Sequence, residues 1–185
     1  MASVVDVANY ILKVSKEDPE DEEYELISHM KLQKLIYYCQ GFSLALFDTP
    51  LFPEPIEAWK HGPVCPRLYH ELKYCGSAPV SVIGPDSESR LTREEQRLIS
   101  DVYWEYGQYA AWKLRKMTHD EIPWKETVAG TVISPPVIKD FFVRNFIMVP
   151  PEDMPPTTEA EKEMIQAAIA DAEKSGEINL SEFCL

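Results

Sequence analysis

Apolar residues recur at helical spacing along most of this chain. Val4, Val7, Ala8, Ile11 and Leu12 share one face of a helix predicted over 4–16, with Ser3 as its cap. A second stripe, Leu32, Leu35, Ile36, Cys39, Phe42 and Leu46, predicts a helix over 29–47 capped by Ser28. Beyond Lys34 this segment is apolar nearly all round, the pattern of a helix at the centre of a core. Asp48, Pro50, Pro53 and Pro55 then break helical structure, and Ile56–Lys60 alternates like a strand. His61-Gly62-Pro63 reads as a turn, and Pro66 opens a helix to about Tyr74. Val80–Ile83 is predicted as a second short strand.

Thr92 and Glu95 have the spacing of a capping box and start a helix through about Tyr106. Further helices are predicted over about 109–117, for one turn after Pro123, and over about 135–146, where Ser134 is the cap and two prolines fit only the first turn. The fold class is mainly α (α+β), a compact helical domain around a central buried helix with a small two- to three-stranded sheet. The domain is expected over 1–149. Four prolines within Pro150–Pro156 make residues 150–157 a semi-rigid spacer. Residues 158–185 form a C-terminal segment whose helix, about 159–175, starts with the capping-box pair Thr158 and Glu161. Its apolar stripe includes Met164, Ile165, Ala168 and Ile169, and Phe183 follows. Two roles are open to this stripe: packing against the body, or docking a partner in a groove.

Charge sharpens the picture. The net charge of −13 is concentrated at the ends: residues 1–25 carry −6, residues 150–185 carry −7, and the stretch between sums to zero. Acidic ends repel phosphates and draw in basic proteins, so independent binding to nucleic acid is not expected. The run between Glu17 and Glu25 is accounted for equally by a solvated loop. The longest uncharged run, Leu35–Phe47, has 13 residues and falls short of a membrane span. The N-terminus lacks the pattern of a secretory signal, and the four cysteines form no close pair. A cytoplasmic protein without membrane contact is expected.

Candidate chemistry is sparse. His61, Cys65, His70 and Cys75 fall within 15 residues, yet they lack the close ligand pairs of zinc sites. On a helix with roughly 100° per residue, His70 and Cys75 would diverge by about 140°. A nucleophilic site using Cys65 or Cys39 with His61 or His119 is the enzymatic alternative; no signature surrounds either thiol. No glycine pattern cradles phosphate, and no cofactor or metal is implied. Trp59, Trp104, Trp112 and Trp124 lie in strand or helix patterns and are expected mostly in the core, with any exposed one serving as an interface anchor.

Three stretches become informative together. These are Lys31-Leu32-Gln33-Lys34-Leu35-Ile36-Tyr37-Tyr38, then Pro55–Val64 with Trp59-Lys60-His61-Gly62-Pro63 followed by Tyr69, and finally Leu114–Trp124 with His119, Pro123 and Trp124. In this order and spacing the chain resembles the Panacea domain, a family of bacterial, archaeal and phage proteins that includes SocA-type antitoxins. The resemblance covers roughly 4–146. It implies a non-enzymatic antitoxin that neutralises a cognate protein toxin by direct binding. The alternative it carries is a proteolytic adaptor that delivers the toxin to a cytosolic protease. Lys31, Gln33, Lys34, Tyr37, Trp59, Gly62, Pro63, Tyr69, His119, Pro123 and Trp124 are then mostly fold determinants. Lys31 and Lys34 are placed to reach carboxylates or cap the strand layer, Tyr69 to meet Trp59, and His119 and Trp124 to make a packed corner at Pro123.

Overall fold

In the computed structural model, residues 2–16, 27–76, 78–80, 83 and 90–147 are described. These residues form seven α-helices, one of them the buried axis α2, and a two-stranded antiparallel hairpin: α1 (Val4–Ser15), α2 (His29–Phe47), β1 (Glu57–Trp59), β2 (Gly62–Val64), α3 (Pro66–Leu72), α4 (Arg93–Tyr106), α5 (Ala111–Asp120), α6 (Ile122–Lys125) and α7 (Pro135–Phe142). The fold is mainly α, as its periodicity predicts.

Local chemistry sets the helix starts. Ser3 and Asp6 form a reciprocal capping box on α1, and Thr92 and Glu95 form another on α4. Each satisfies two backbone donors that the first turn leaves without partners. Ser28 Oγ accepts the Lys31 N–H at 3.3 Å and starts α2. The last helix differs from expectation. Ser134 precedes α7 without a side-chain capping bond, and the α-helix stops at Phe142, passing into a π-helical turn over Val143–Ile147.

Helix α2 is the axis of the fold. Every residue from Lys31 to Gly41 is buried, and α1, α3, α4, α5, α7 and β2 all pack on it. The charged pair within that run, Lys31 and Lys34, is therefore as deeply enclosed as its leucines. Near its C-terminal half, Tyr38 stacks on Tyr106 of α4 (4.2 Å between centroids), and Phe142 of α7 meets Tyr37 and Phe42 edge-on. A side chain at Gly41 would collide with the Phe142 ring, so the glycine is what lets α7 approach this closely.

The sheet corrects one expectation. β2 is Gly62–Val64, read from the sequence as a turn, and the turn is Lys60-His61. Trp59 pairs with Gly62, whose φ of 99° suits only glycine and closes the hairpin in two residues. Pro63 lacks an N–H, but its register partner Ala58 turns its own N–H and carbonyl to Thr131 and Gly130, so the proline costs the hairpin no ladder bond. Of the expected strand at Val80–Ile83, the described residues Val80 and Ile83 are not paired with β1. Val80 instead donates to the Ile27 carbonyl at 2.9 Å, and Pro79 makes an isolated bridge with Ser28; Ser81 and Val82 lie outside the described residues. The other edge of β1 is covered by residues 130–133, through bonds from Ala58 N–H to Thr131, Gly130 N–H to Ala58, and Ile133 N–H to Ile56.

Two glutamines on α2, seven positions apart and so on the same face, hold irregular backbone where no strand partner exists. Gln33 Oε1 accepts the Cys65 N–H at 2.8 Å and its amide reaches the Cys65 carbonyl at 3.4 Å. Gln40 Oε1 accepts from Leu51 and Phe52 at 2.9 and 3.3 Å while its amide donates to the Phe52 carbonyl at 3.1 Å. Each amide presents one donor and one acceptor, as a backbone neighbour in a sheet would.

Two tryptophans correct a further expectation. Trp104 and Trp112 are 49% and 67% exposed, and Trp59 and Trp124 are half-buried. Helical spacing did not assign their faces: the buried stripe of α4 is Leu98, Ile99, Val102, Tyr103 and Tyr106, and Trp104 falls outside it.

Candidate functional site

The three sequence stretches that stood out converge on one end of the α2 core. Lys34, 1% exposed, donates from Nζ to the Pro63 carbonyl at 2.8 Å and so ties α2 to β2. Gly62 is required here twice over. A Cβ would approach Lys34 Nζ to 2.7 Å and Thr118 Oγ1 to 2.9 Å, closer than side chains ever sit. Thr118 hydrogen-bonds back to Leu114 and Arg115 within α5, so it cannot move aside freely.

Positive charge gathers around that lysine. Burial, with the Arg115 guanidinium beside it, lowers the Lys34 ammonium to about 7. His119 is held below the usual imidazole range by burial and by the Arg115 and Lys34 charges. His29 is lowered by burial and by Lys34. Among the described residues, His29 Nδ1, Arg115 Nε and His119 Nε2 are buried without a hydrogen-bond partner, and Lys34 forms no salt bridge.

Aromatic rings frame these basic groups. Trp59 meets Tyr69 edge-on at 4.9 Å, and Tyr69 meets His29 at 5.6 Å. His119 stacks on Trp124 at 3.9 Å, while Trp124 Nε1 donates to the Trp59 carbonyl at 2.9 Å. Pro123, buried in the first turn of α6, turns the chain so that His119 and Trp124 face each other, the packed corner that the sequence suggested. Between the first turns of α2 and the hairpin lies a cavity of about 250 Å³, walled by Lys34, His29, Lys60, His61, Trp59 and Tyr69 among others.

One turn further along α2 the polarity reverses. Glu121, between α5 and α6, accepts hydrogen bonds from Tyr37 at 2.8 Å and Tyr38 at 2.7 Å. Burial pushes its carboxyl up to about 7 despite both hydroxyls, which pull the other way. The two phenols are raised by burial and by the Glu121 charge. Tyr38 and Glu121 stood inside the informative stretches without being singled out. The signal was an acid placed between the end of a helix at His119-Asp120 and Ile122-Pro123-Trp124.

The sulfur and histidine candidates do not assemble. Cys39 and Cys65 are both buried, and burial raises both thiols, with backbone donors of Leu68 and Arg67 only partly offsetting it at Cys65. Position at the start of α3 therefore does not activate Cys65, contrary to what a helix N-terminus alone would do. His61 and His70 are exposed, and no group of three or more His, Cys, Asp or Glu among the described residues is placed to hold a metal. Lys31 and Gln33 are buried beside Lys34 on α2. Met164, Ile165, Ala168, Ile169 and Phe183 lie outside the described residues, as do the 150–157 spacer and the 159–175 helix.

Comparison with known proteins matches residues 32–125 to the family model described as antitoxin SocA-like, Panacea domain. That span is half of the chain and runs from the central helix through the Pro123 corner. The chain belongs to this family. The Panacea match begins beside Gln33 and Lys34 and ends just after Trp124, so it takes in Lys34, Arg115, His119, Glu121, the hairpin and most of the cavity wall, while His29 and Met30 precede it. No curated protein and no solved structure matches the chain. No helix among the described residues is long and apolar enough to cross a membrane.

Proposed function

We propose that this Panacea-domain protein is the antitoxin of a toxin–antitoxin pair and neutralises a cognate protein toxin by direct binding, in the cytoplasm and without a cofactor. The observation that carries this reading is the family match over 32–125. The chemistry of the matched region favours binding over catalysis. Its two buried thiols are kept protonated, its buried carboxyl is engaged by two tyrosines, and its lysine is engaged by a strand carbonyl. The exposed indoles of Trp104 and Trp112 are the kind of large, low-entropy side chains that anchor protein interfaces. The apolar positions Met164, Ile165, Ala168, Ile169 and Phe183 are a second contact surface, because an apolar stripe behind a proline-rich spacer suits groove docking.

Co-expression with the protein encoded in the adjacent reading frame tests the proposal. Growth should be rescued, and the two proteins should co-purify. Cys65→Ala and His119→Ala, with folding checked, should still neutralise; loss of rescue in a folded variant would favour an enzyme. Cutting the chain after Val149 separates the two contact surfaces: a folded truncation that neutralises fully removes the tail from the interface. Toxin half-life distinguishes the proteolytic adaptor, the reading shared by SocA-type members of the family. Under direct neutralisation the toxin persists, whereas delivery to a cytosolic protease would shorten its lifetime.

A further inference from the structure

The cavity between α2 and the hairpin stands out in an acidic protein, because none of the described residues that line it is a carboxylate. Lys34, His29, Lys60 and His61 face it, and Trp59 and Tyr69 supply flat apolar walls. Lys34 has three donor protons and one protein acceptor, the Pro63 carbonyl. Arg115, close enough to depress it electrostatically, adds further positive charge nearby. The first turn of α2, carrying His29, contributes the positive end of a 19-residue helix dipole. A buried cation without an anion is costly, and proteins ordinarily pair it. Here the pairing group is absent from the described residues while space for it is present.

We propose that this cavity is a binding site for a compact anion, a carboxylate or phosphate group seated against Lys34 with an apolar body on Trp59 and Tyr69. The volume of about 250 Å³ admits a group of one ring or one side chain and excludes a dinucleotide. The bound anion returns the Lys34 ammonium to its charged form and gives His29 Nδ1 an acceptor when the ring is protonated there. The site stands on its own geometry and holds whether or not a toxin is the partner of this protein.

Three probes test it on the full chain: inorganic phosphate, phenylacetate, and neutral phenylacetamide. The readout is the set of tryptophan indole signals in a ¹H–¹⁵N spectrum, where the Trp59 N–H, donated to Glu57 at 2.8 Å, reports on the cavity wall. At least one anion should shift that signal saturably, and phenylacetamide should bind at least about tenfold more weakly than phenylacetate, the loss expected for one charge-assisted bond. Tighter phosphate binding assigns a phosphate ligand, and tighter phenylacetate binding a carboxylate. Lys34→Met should abolish the shift while keeping the native spectrum. Absence of saturation by both anions at tens of millimolar overturns the proposal, as does equal binding of the neutral amide. The amide arm uses the unmodified protein and stays decisive if the variant does not fold.

Discussion

Tyr37 and Tyr38 lie one turn along α2 from Lys34, and the two ionisable groups buried around them are treated in opposite ways. Glu121 receives two short hydroxyl bonds within a shell of rings that includes Tyr106 and Phe142. Lys34 receives one neutral carbonyl and has the Arg115 guanidinium for company. The first arrangement is closed, since every strong donor there has its acceptor. The second is open, with donors in excess and room beside them. Burial alone therefore does not tell a structural polar group from one available to a ligand; the count of partners does.

Removing the closed cluster should have the largest effect. Glu121→Ala leaves two buried hydroxyls without an acceptor and is expected to cost about 3 kcal/mol in urea unfolding. An unchanged midpoint would show that water replaces the carboxylate there.

The pH dependence should separate the clusters by sign. Glu121 is raised from 4.5 to about 7, so the folded state binds its proton more tightly than the unfolded state does. Its contribution is fully present below pH 4.5 and is lost as pH rises to about 7, up to about 3 kcal/mol in the difference between wild type and Glu121→Gln. Lys34 is lowered from 10.5 to about 7, so its contribution is complete above pH 10.5 and is lost as pH falls towards 7. Wild type measured against Lys34→Met should accordingly gain stability from pH 7 upwards. Parallel slopes for the two differences would contradict the contrast between the clusters.

Gly62→Ala forces a side chain into a left-handed φ and against Lys34 and Thr118, and should cost about 2 kcal/mol. The smallest effect is expected at Lys34 itself. Lys34→Met gives up one hydrogen bond but also a buried charge, and stability at pH 7 should change by no more than about 1 kcal/mol. A loss matching that of Glu121→Ala would mean that the lysine is as fully engaged as the acid.

Much of the helical frame was legible beforehand because its signals are local. The α2 boundaries follow from Ser28 and the apolar run to Phe47, and α4 follows from Thr92 and Glu95. The hairpin was only half legible. Ile56–Lys60 alternates, but Gly62 and Pro63 have turn chemistry and become a strand only through pairing with Trp59 and Ala58. Trp104 and Trp112 show the same limit, since spacing places a residue on a face without saying which face meets the core. The two clusters were least legible. A lysine or glutamate in a sequence reads as surface, and what buries Lys34 and Glu121 is the meeting of α2, α5 and the hairpin across more than 80 positions. The motif residues marked where the chain comes together, while the contrast between an acid with two hydroxyl partners and a base with a single carbonyl emerged only from the packed structure.

The glutamine grips on the central helix carry an evolutionary consequence. Gln40 and Gln33 hold Leu51, Phe52 and Cys65 through peptide groups, which every residue except proline presents alike. An anchor of this kind is indifferent to the identity of the residues it secures. Outward-facing neighbours such as Pro53 and Pro55 are thus free to diversify from one relative to another while the loop keeps its path, which gives a scaffold whose outer lettering changes without loosening its binding.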